Sequence, residues 1–236
     1  MDAAGYVALT RQSGLMREMG VVANNIANLS TAGFRREGLL FSEYVSATDQ
    51  GPSISMARGN TRVVDLRQAG ISQTGGTFDF AIQGDGFFLI ETPEGQQLTR
   101  AGGFTPSANG ELVTPDGHRL LDQGGAPVFV PREAGHVALA QDGTLSADGT
   151  PIARIGLWQP SDPNSLRHQS GTLFSATSVE PVETGILLQG YLEDSNVEPV
   201  SEIARMIEVQ RAYDLGQTFL DNEDQRTRGV IQTLGR

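Results

Sequence analysis

At both ends of this 236-residue chain apolar residues recur in alternating steps of four and three, and between the ends they break up into short β-prone runs. One element cannot carry both patterns, so the chain is confined to folds in which terminal helices flank a strand-rich middle. In the first stretch Ala8, Gln12, Leu15, Met19, Val22, Ile26 and Leu29 follow the rhythm of a helix packed along one partner, and Met16 and Ala23 are predicted to widen the stripe. Gly14 and Gly20 each weaken that helix by ~1 kcal/mol relative to Ala, so it needs a neighbour to hold it. Its end is expected between Asn28 and Gly33, with Gly33 in the left-handed cap conformation.

The second helix is predicted to begin near Pro199, a favourable first helical position, with Glu202 in the first turn where a carboxylate complements the helix dipole. Met206, Tyr213, Leu220, Thr227 and Leu234 recur at heptad spacing, flanked by Ile203, Ile207, Val209, Leu215, Phe219, Val230 and Ile231. Gln210, Gln217, Glu223 and Asp224 sit at or beside the seam, and Gly216 and Gly229 interrupt it, so a plain two-stranded coil is not expected. Roughly 35 residues of helix reach about 50 Å, longer than an ordinary domain needs. The plainer reading is two core helices of one bundle; the sharper one is mutual packing of the two chain ends.

From Thr77 to about Thr177 the runs FDFAIQ, FFLIE, QQLTR, ELVT, RLLD, PVFV, HVALA, GTLS and PIARIGLWQ read as strands. Asp85-Gly86, Glu94-Gly95, Asn109-Gly110, Asp116-Gly117, Asp142-Gly143 and Asp148-Gly149 punctuate them as hairpin turns do. Residues 34–75 are polar and Gly-punctuated, with one strand candidate at Thr61–Leu66. The expected fold is α+β: terminal amphipathic, coiled-coil-like helices flanking a compact all-β domain, joined by an extended connector. The expected divisions are residues 1–33, 34–75, 76–185 and 186–236, namely first helix, connector, β domain, and return segment with last helix.

Composition narrows function by exclusion. The net charge is 17 − 28 = −11, against the clustered cationic surface that nucleic-acid binding needs. Every cationic side chain is Arg, which removes phosphate-loop and Schiff-base lysines, and the absence of Cys removes thiolate nucleophiles, disulfides and thiolate metal sites. Gly84-Asp85-Gly86 lacks the third glycine and helix of a dinucleotide fingerprint and reads as a hairpin turn. Asp142 and Asp148 bracket a segment too incomplete for a calcium loop, better read as two adjacent turns. His118, His136 and His168 are scattered, with no close pair to ligate a metal or build a triad. Carboxylate pairs such as Glu91 and Glu94 are what an acidic chain yields by chance. The N-terminus lacks the features of a cleaved secretory leader, and no stretch approaches the ~20 apolar residues of a membrane span.

Four segments carry a family resemblance. ANNIANLSTAGFRRE (23–37) resembles the N-terminal signature of the flagellar axial proteins, the rod and hook family, and GYLEDSNVEPVSEIARMIEVQRAY (190–213) resembles their C-terminal signature. AIQGDGFFLI (81–90) and TRAGGFTPSANGELVTPDGHRLL (99–121) are similar to the opening of that family's globular domain. Length, the short middle and ARIGLW (153–158) resemble a proximal-rod component most, with the distal-rod protein as the alternative and a hook protein disfavoured for want of a larger middle.

The resemblance implies a structural subunit of the bacterial flagellar basal-body rod, without catalysis, cofactor or metal. Such a subunit polymerises through its terminal helices into the drive shaft between motor and hook. The implied partners are other rod proteins, copies of the chain in a helical array and the flagellar type III export apparatus. Nucleic acid, a small-molecule substrate and an integral membrane segment are not implied. The implied place is the rod where it crosses the periplasm, reached without a cleaved signal. By resemblance Asn24, Asn25, Asn28, Thr31 and Phe34 map to the first motif, and Ser195, Asn196, Val197, Gln210, Arg211 and Tyr213 to the second, as assembly contacts and helix terminators. Leu15, Met19, Val22, Ile26, Leu29, Ile203, Met206 and Leu220 complete the expected interface. A secreted β-rich binding module is the alternative from another class, and it leaves the two terminal seams unexplained.

Overall fold

A computed structural model describes residues 3–48 and 51–234. Helix α1 (Ala3–Ala27) opens the chain and helix α2 (Pro199–Leu234) closes it. Between them run β1 (Glu37–Thr48), β2 (Gly51–Val64), β3 (Ile71–Gln73), β4 (Phe80–Gln83), β5 (Phe88–Thr92), β6 (Gly95–Thr99), β7 (Thr105–Pro106), β8 (Leu112–Val113) and β9 (Arg119–Leu120). They are followed by β10 (Val137–Leu139), β11 (Thr144–Ala147), β12 (Thr150–Arg154), β13 (Leu157–Pro160), β14 (Arg167–His168), β15 (Leu173–Ser175), β16 (Val179–Val182), β17 (Ile186–Gln189) and β18 (Tyr191–Glu193). The elements form two compact units, one of Met1–Ala27, Glu37–Val63 and Glu198–Arg236, the other of Asn28–Arg36 and Val64–Val197.

In the helical unit α1 and α2 run antiparallel, because Asn25 meets Glu202, Glu18 meets Arg205 and Gln12 meets Tyr213. Among the described side chains of α2 the positions that are not exposed are Glu202, Met206, Val209, Ala212, Tyr213, Gly216, Leu220 and Glu223, which apart from Ala212 again follow steps of four and three. Gly216 therefore belongs to the seam and does not interrupt it. The side chains of Ile231 and Leu234 lie outside the described residues. On α1 the expected widening at Met16 and Ala23 is not found, since Met16 is 62% exposed and Ala23 is exposed as well. The stripe widens on its other flank, through Gly14, Glu18, Val21 and Asn25, where β1 covers it and the Phe41 ring lies over Gly14. The polar connector contributes the pair β1 and β2, a two-stranded sheet, and the strand candidate Thr61–Leu66 is the end of β2, which stops at Val64.

Helix α1 stops at Ala27, earlier than its cap signals imply, so Leu29 lies in the turn beyond it. Thr31 closes that turn, its N–H donating to the Asn28 carbonyl at 3.2 Å and its hydroxyl to Asn28 Oδ1 at 3.1 Å. Gly33 has a positive φ of 72°, yet it caps no helix: a Cβ there would run into the backbone of Arg100 and Ala101. Close passage of two chain segments is what demands glycine.

The β unit is built on a seven-stranded sheet in the order β14-β15-β6-β5-β9-β8-β7. Strand β5 sits at its centre, antiparallel to β6 with Phe88 opposite Thr99 and Ile90 opposite Gln97. Alternation splits the FFLI run between two cores: Phe88 and Ile90 join Phe80, Phe104, Leu112 and Leu120, whereas Phe87 and Leu89 join Leu98, Leu121 and Phe174. Smaller sheets complete the unit, and in them the late strands β17 and β18 return to pair with β4 and β3.

Five of the six turn dipeptides connect paired strands, with Asp148 at φ 49° and Gly149 at φ 82° forming the primed turn of the β11–β12 hairpin. Asp85-Gly86 is the exception. Gly84 and Gly86 both take positive φ, but the strands on either side do not pair with each other, β4 going to β17 and β5 to β6 and β9. PVFV forms isolated bridges in place of a strand, burying Val128 and Val130 and leaving Phe129 51% exposed.

Candidate assembly interface

The α1–α2 seam is held by polar residues more than apolar ones. Val21, Val22 and Val209 are the buried apolar residues among the described helical positions, whereas Gln12, Glu18, Asn25 and Glu202 are buried too. Each polar position has a specific partner. Gln12 Nε2 donates to the Tyr213 carbonyl at 2.9 Å, and its amide lies so close to Gly216 that a Cβ there would come within 2.8 Å of Nε2. Arg205 Nε donates to Glu18 Oε1 at 2.7 Å, and this bond holds the guanidinium above its ordinary pKa. Asn25 is fully buried and reads both backbone groups of Glu37: Nδ2 donates to its carbonyl at 2.8 Å and Oδ1 accepts from its N–H at 2.9 Å. Asn25 Nδ2 also reaches Glu202 Oε2 at 3.2 Å, which ties α1, β1 and α2 at one point. A seam pinned in this way has one register, because sliding either helix by a turn would strand several buried polar groups.

Apolar surface lies outside the seam instead. Val200, Ile203 and Ile207 are 74%, 51% and 44% exposed on the side of α2 away from α1. Leu215 (73%) and Phe219 (47%) edge a groove of about 640 Å³ lined also by Val7, Ala8, Leu15 and Ala212. From Asp224 to Val230 every residue of α2 is exposed.

The expected interface residues fall into three groups. Leu15, Met19 and Ile26 are half-buried and Val22 buried along α1; Met206, Tyr213 and Leu220 are half-buried along α2; Asn24 lies within 3.4 Å of Glu37 Oε2. Ile203, Gln210 and Arg211 are exposed on α2. The remaining residues belong to the β unit, where the segments 28–36 and 190–197 meet. Phe34 is buried there beside the His168 ring, Val197 is buried, and Val197 N–H points to Ser195 Oγ at 3.4 Å. Asn196 accepts from Arg36 N–H at 2.6 Å and donates to the carbonyls of Asp65 and Arg67, both at 2.9 Å.

Sequence reasoning missed the charge cluster at the same junction. Arg35 and Glu193 are fully buried 2.8 Å apart, and Arg100, 4% exposed, reaches the other Glu193 oxygen at 3.1 Å. Arg100 Nη2 donates to the Gly84 carbonyl at 2.8 Å, and its guanidinium carbon stands 5.3 Å from the Phe87 ring centre. Burial pushes the Arg100 pKa down to about 10, against the stabilising charge of Glu193. Nothing in the three stretches that supply it, GFRRE, QQLTR and GYLED, sets these charges apart from their neighbours. Among the described residues no group of His or carboxylates is placed to hold a metal. His168 packs its ring against Phe34 and Phe174, with Nε2 2.7 Å from the Gly171 carbonyl. No helix among the described residues is long and apolar enough to cross a membrane.

Three family descriptions match successive parts of the chain. They are flagella basal body rod protein at residues 6–35, flagellar hook protein FlgE/F/G D1 domain at 81–147, and flagellar basal body rod FlgEFG protein C-terminal at 188–233. The flagellar basal-body rod protein FlgF of Mesorhizobium japonicum is 39% identical, covering 98% of this chain and 97% of its own. That of Caulobacter vibrioides is 36% identical, covering 100% and 99%. The rod protein FlgG of Bacillus subtilis is 29% identical, covering 97% and 96%. The chain belongs to the FlgF family of flagellar basal-body rod proteins and is a structural, non-enzymatic subunit of that rod.

Proposed function

We propose that this FlgF-family subunit polymerises through both terminal helices, in a helical arrangement with copies of itself and with other rod proteins, in the proximal part of the rod. The supporting observation is that α2 carries apolar side chains on two opposite sides, and α1 covers one of them. A subunit in an open helical array uses different patches for successive neighbours, so one helix needs more than one contact face. On this reading Leu15, Met19, Val22, Asn25, Ile26, Met206 and Tyr213 set the helix pair, and Ile203, Gln210, Arg211 and the groove beside Leu215 meet neighbours. Full-length similarity that is higher to FlgF than to FlgG relatives supports the proximal place. Passage as an unfolded chain through the flagellar export apparatus fits a helix pair with few buried apolar residues, weakened by Gly14 and Gly20.

The test is the double variant Ile203→Ser, Ile207→Ser. Its purified monomer should keep the wild-type helical signal, because both residues are exposed, while cells carrying it lose motility and show truncated basal bodies by electron microscopy. Normal rods built from that variant would sink the proposal.

A further inference from the structure

The charge cluster at the junction is asymmetric. Glu193 uses both carboxylate oxygens: Oε1 accepts from Arg35 Nη1 at 2.8 Å and from the Ala69 N–H at 2.9 Å, and Oε2 pairs with Arg100 Nη1 at 3.1 Å. Two guanidinium groups thus share one ion-pair partner. Arg35 Nε, Arg35 Nη2 and Arg100 Nε are buried without a hydrogen-bond partner, and the other carboxylate that acts on Arg100, Asp85, does so by charge alone and more weakly than Glu193. The three groups come from three places: the segment after α1, the residue just past β6, and β18.

We infer that Glu193 imposes an order on the docking of the two terminal segments. The segment 190–197 can settle first, because Glu193 finds Arg100 already held by the β unit and the pair is neutral. The segment 28–36 cannot settle first, since Arg35 would be buried beside Arg100 without its ion-pair partner, and a buried charge left unpaired is strongly destabilising. The segment 28–36 therefore stays undocked until the C-terminal segment is in place. In a chain synthesised from its N-terminus, this keeps the segment 28–36 free until almost the whole subunit is present.

Three amides in the intact protein report on this order: Gly33 N–H, which donates to the Glu193 carbonyl; Asp194 N–H, which donates to the Gly70 carbonyl; and Leu121 N–H, which donates to Leu89 in the central sheet. Hydrogen exchange followed by NMR should show, for Glu193→Gln, about tenfold or greater acceleration at both Gly33 and Asp194 with Leu121 unchanged. For Arg35→Met, Gly33 should accelerate by about tenfold while Asp194 stays within about twofold, because Glu193 keeps Arg100. Equal loosening of Gly33 and Asp194 in Arg35→Met would overturn the order, as would a protected Gly33 in Glu193→Gln. If Glu193→Gln loses the Leu121 control as well, the Arg35→Met result decides alone.

Discussion

The two units of this subunit invert each other's use of polar and apolar residues. In the β unit the fully buried positions are mainly large apolar side chains, among them Phe80, Phe88, Ile90, Leu112 and Leu120. Among the described residues of the helical unit they are Asn25, Glu202 and Glu37, while eleven of the fourteen exposed large apolar residues described, from Leu9 to Val230, belong to that same unit. The β unit satisfies its own hydrophobic demand. The helical unit uses polar contacts to fix register and keeps its apolar surface on the outside, as the proposed packing against neighbouring subunits requires.

The largest effect that could break this contrast is a cavity in the β core. Phe88 is fully buried and meets Phe104 edge to face, with centroids 5.4 Å apart at 89°. Phe88→Ala should destabilise by about 3–5 kcal/mol. Trp158, the single tryptophan, packs on the second core of the same sheet, so its fluorescence during urea unfolding reads the loss. A loss below about 1 kcal/mol would mean that the β core is far looser than its packing implies.

A polar hub in the helical unit should come next. Asn25→Ala removes three buried hydrogen bonds, those to the N–H and carbonyl of Glu37 and to Glu202 Oε2. A loss of about 1–3 kcal/mol of stability, read at the helical signal, is expected from the removal of these buried bonds. Asn25→Leu separates volume from hydrogen bonding: if Leu restores the stability that Ala loses, burial and not register is what this position supplies, and the contrast between the units fails.

These two residues also mark what was legible in the sequence. The FFLIE run announced a central strand because burial on both faces is written as an unbroken apolar stretch, and the Gly-ended turns follow from backbone sterics that act over two residues. Asn25 was singled out through its motif, but not as a hub, since Glu37 and Glu202 are brought to it by tertiary folding. The Arg35–Glu193–Arg100 cluster was illegible for the same reason: ion pairing between distant segments leaves no periodic trace. Met16 and Ala23 misled because spacing shows the width of an apolar stripe and not which flank a strand will cover.

The finest discrimination lies in three helical glycines. Gly20 and Gly229 have nothing within 4 Å of where a Cβ would stand, whereas a Cβ on Gly216 would come within 2.8 Å of Gln12 Nε2 and 3.0 Å of its Cδ. Gly20→Ala should therefore stabilise the helix pair by about 0.5–1 kcal/mol through helix propensity alone. Gly216→Ala makes the same gain but displaces the Gln12 amide from the Tyr213 carbonyl, and a buried hydrogen bond worth about 1 kcal/mol offsets it, leaving a net change near zero. Thermal melts followed at the helical signal resolve the two cases. Combining Gly216→Ala with Gln12→Ala removes the clash, so the propensity gain should reappear against the Gln12→Ala background as a coupling of about 0.5–1 kcal/mol. Equal stabilisation by Gly20→Ala and Gly216→Ala would show a seam loose enough to let Gln12 swing away, and the register would then rest on Asn25 and Glu18 alone.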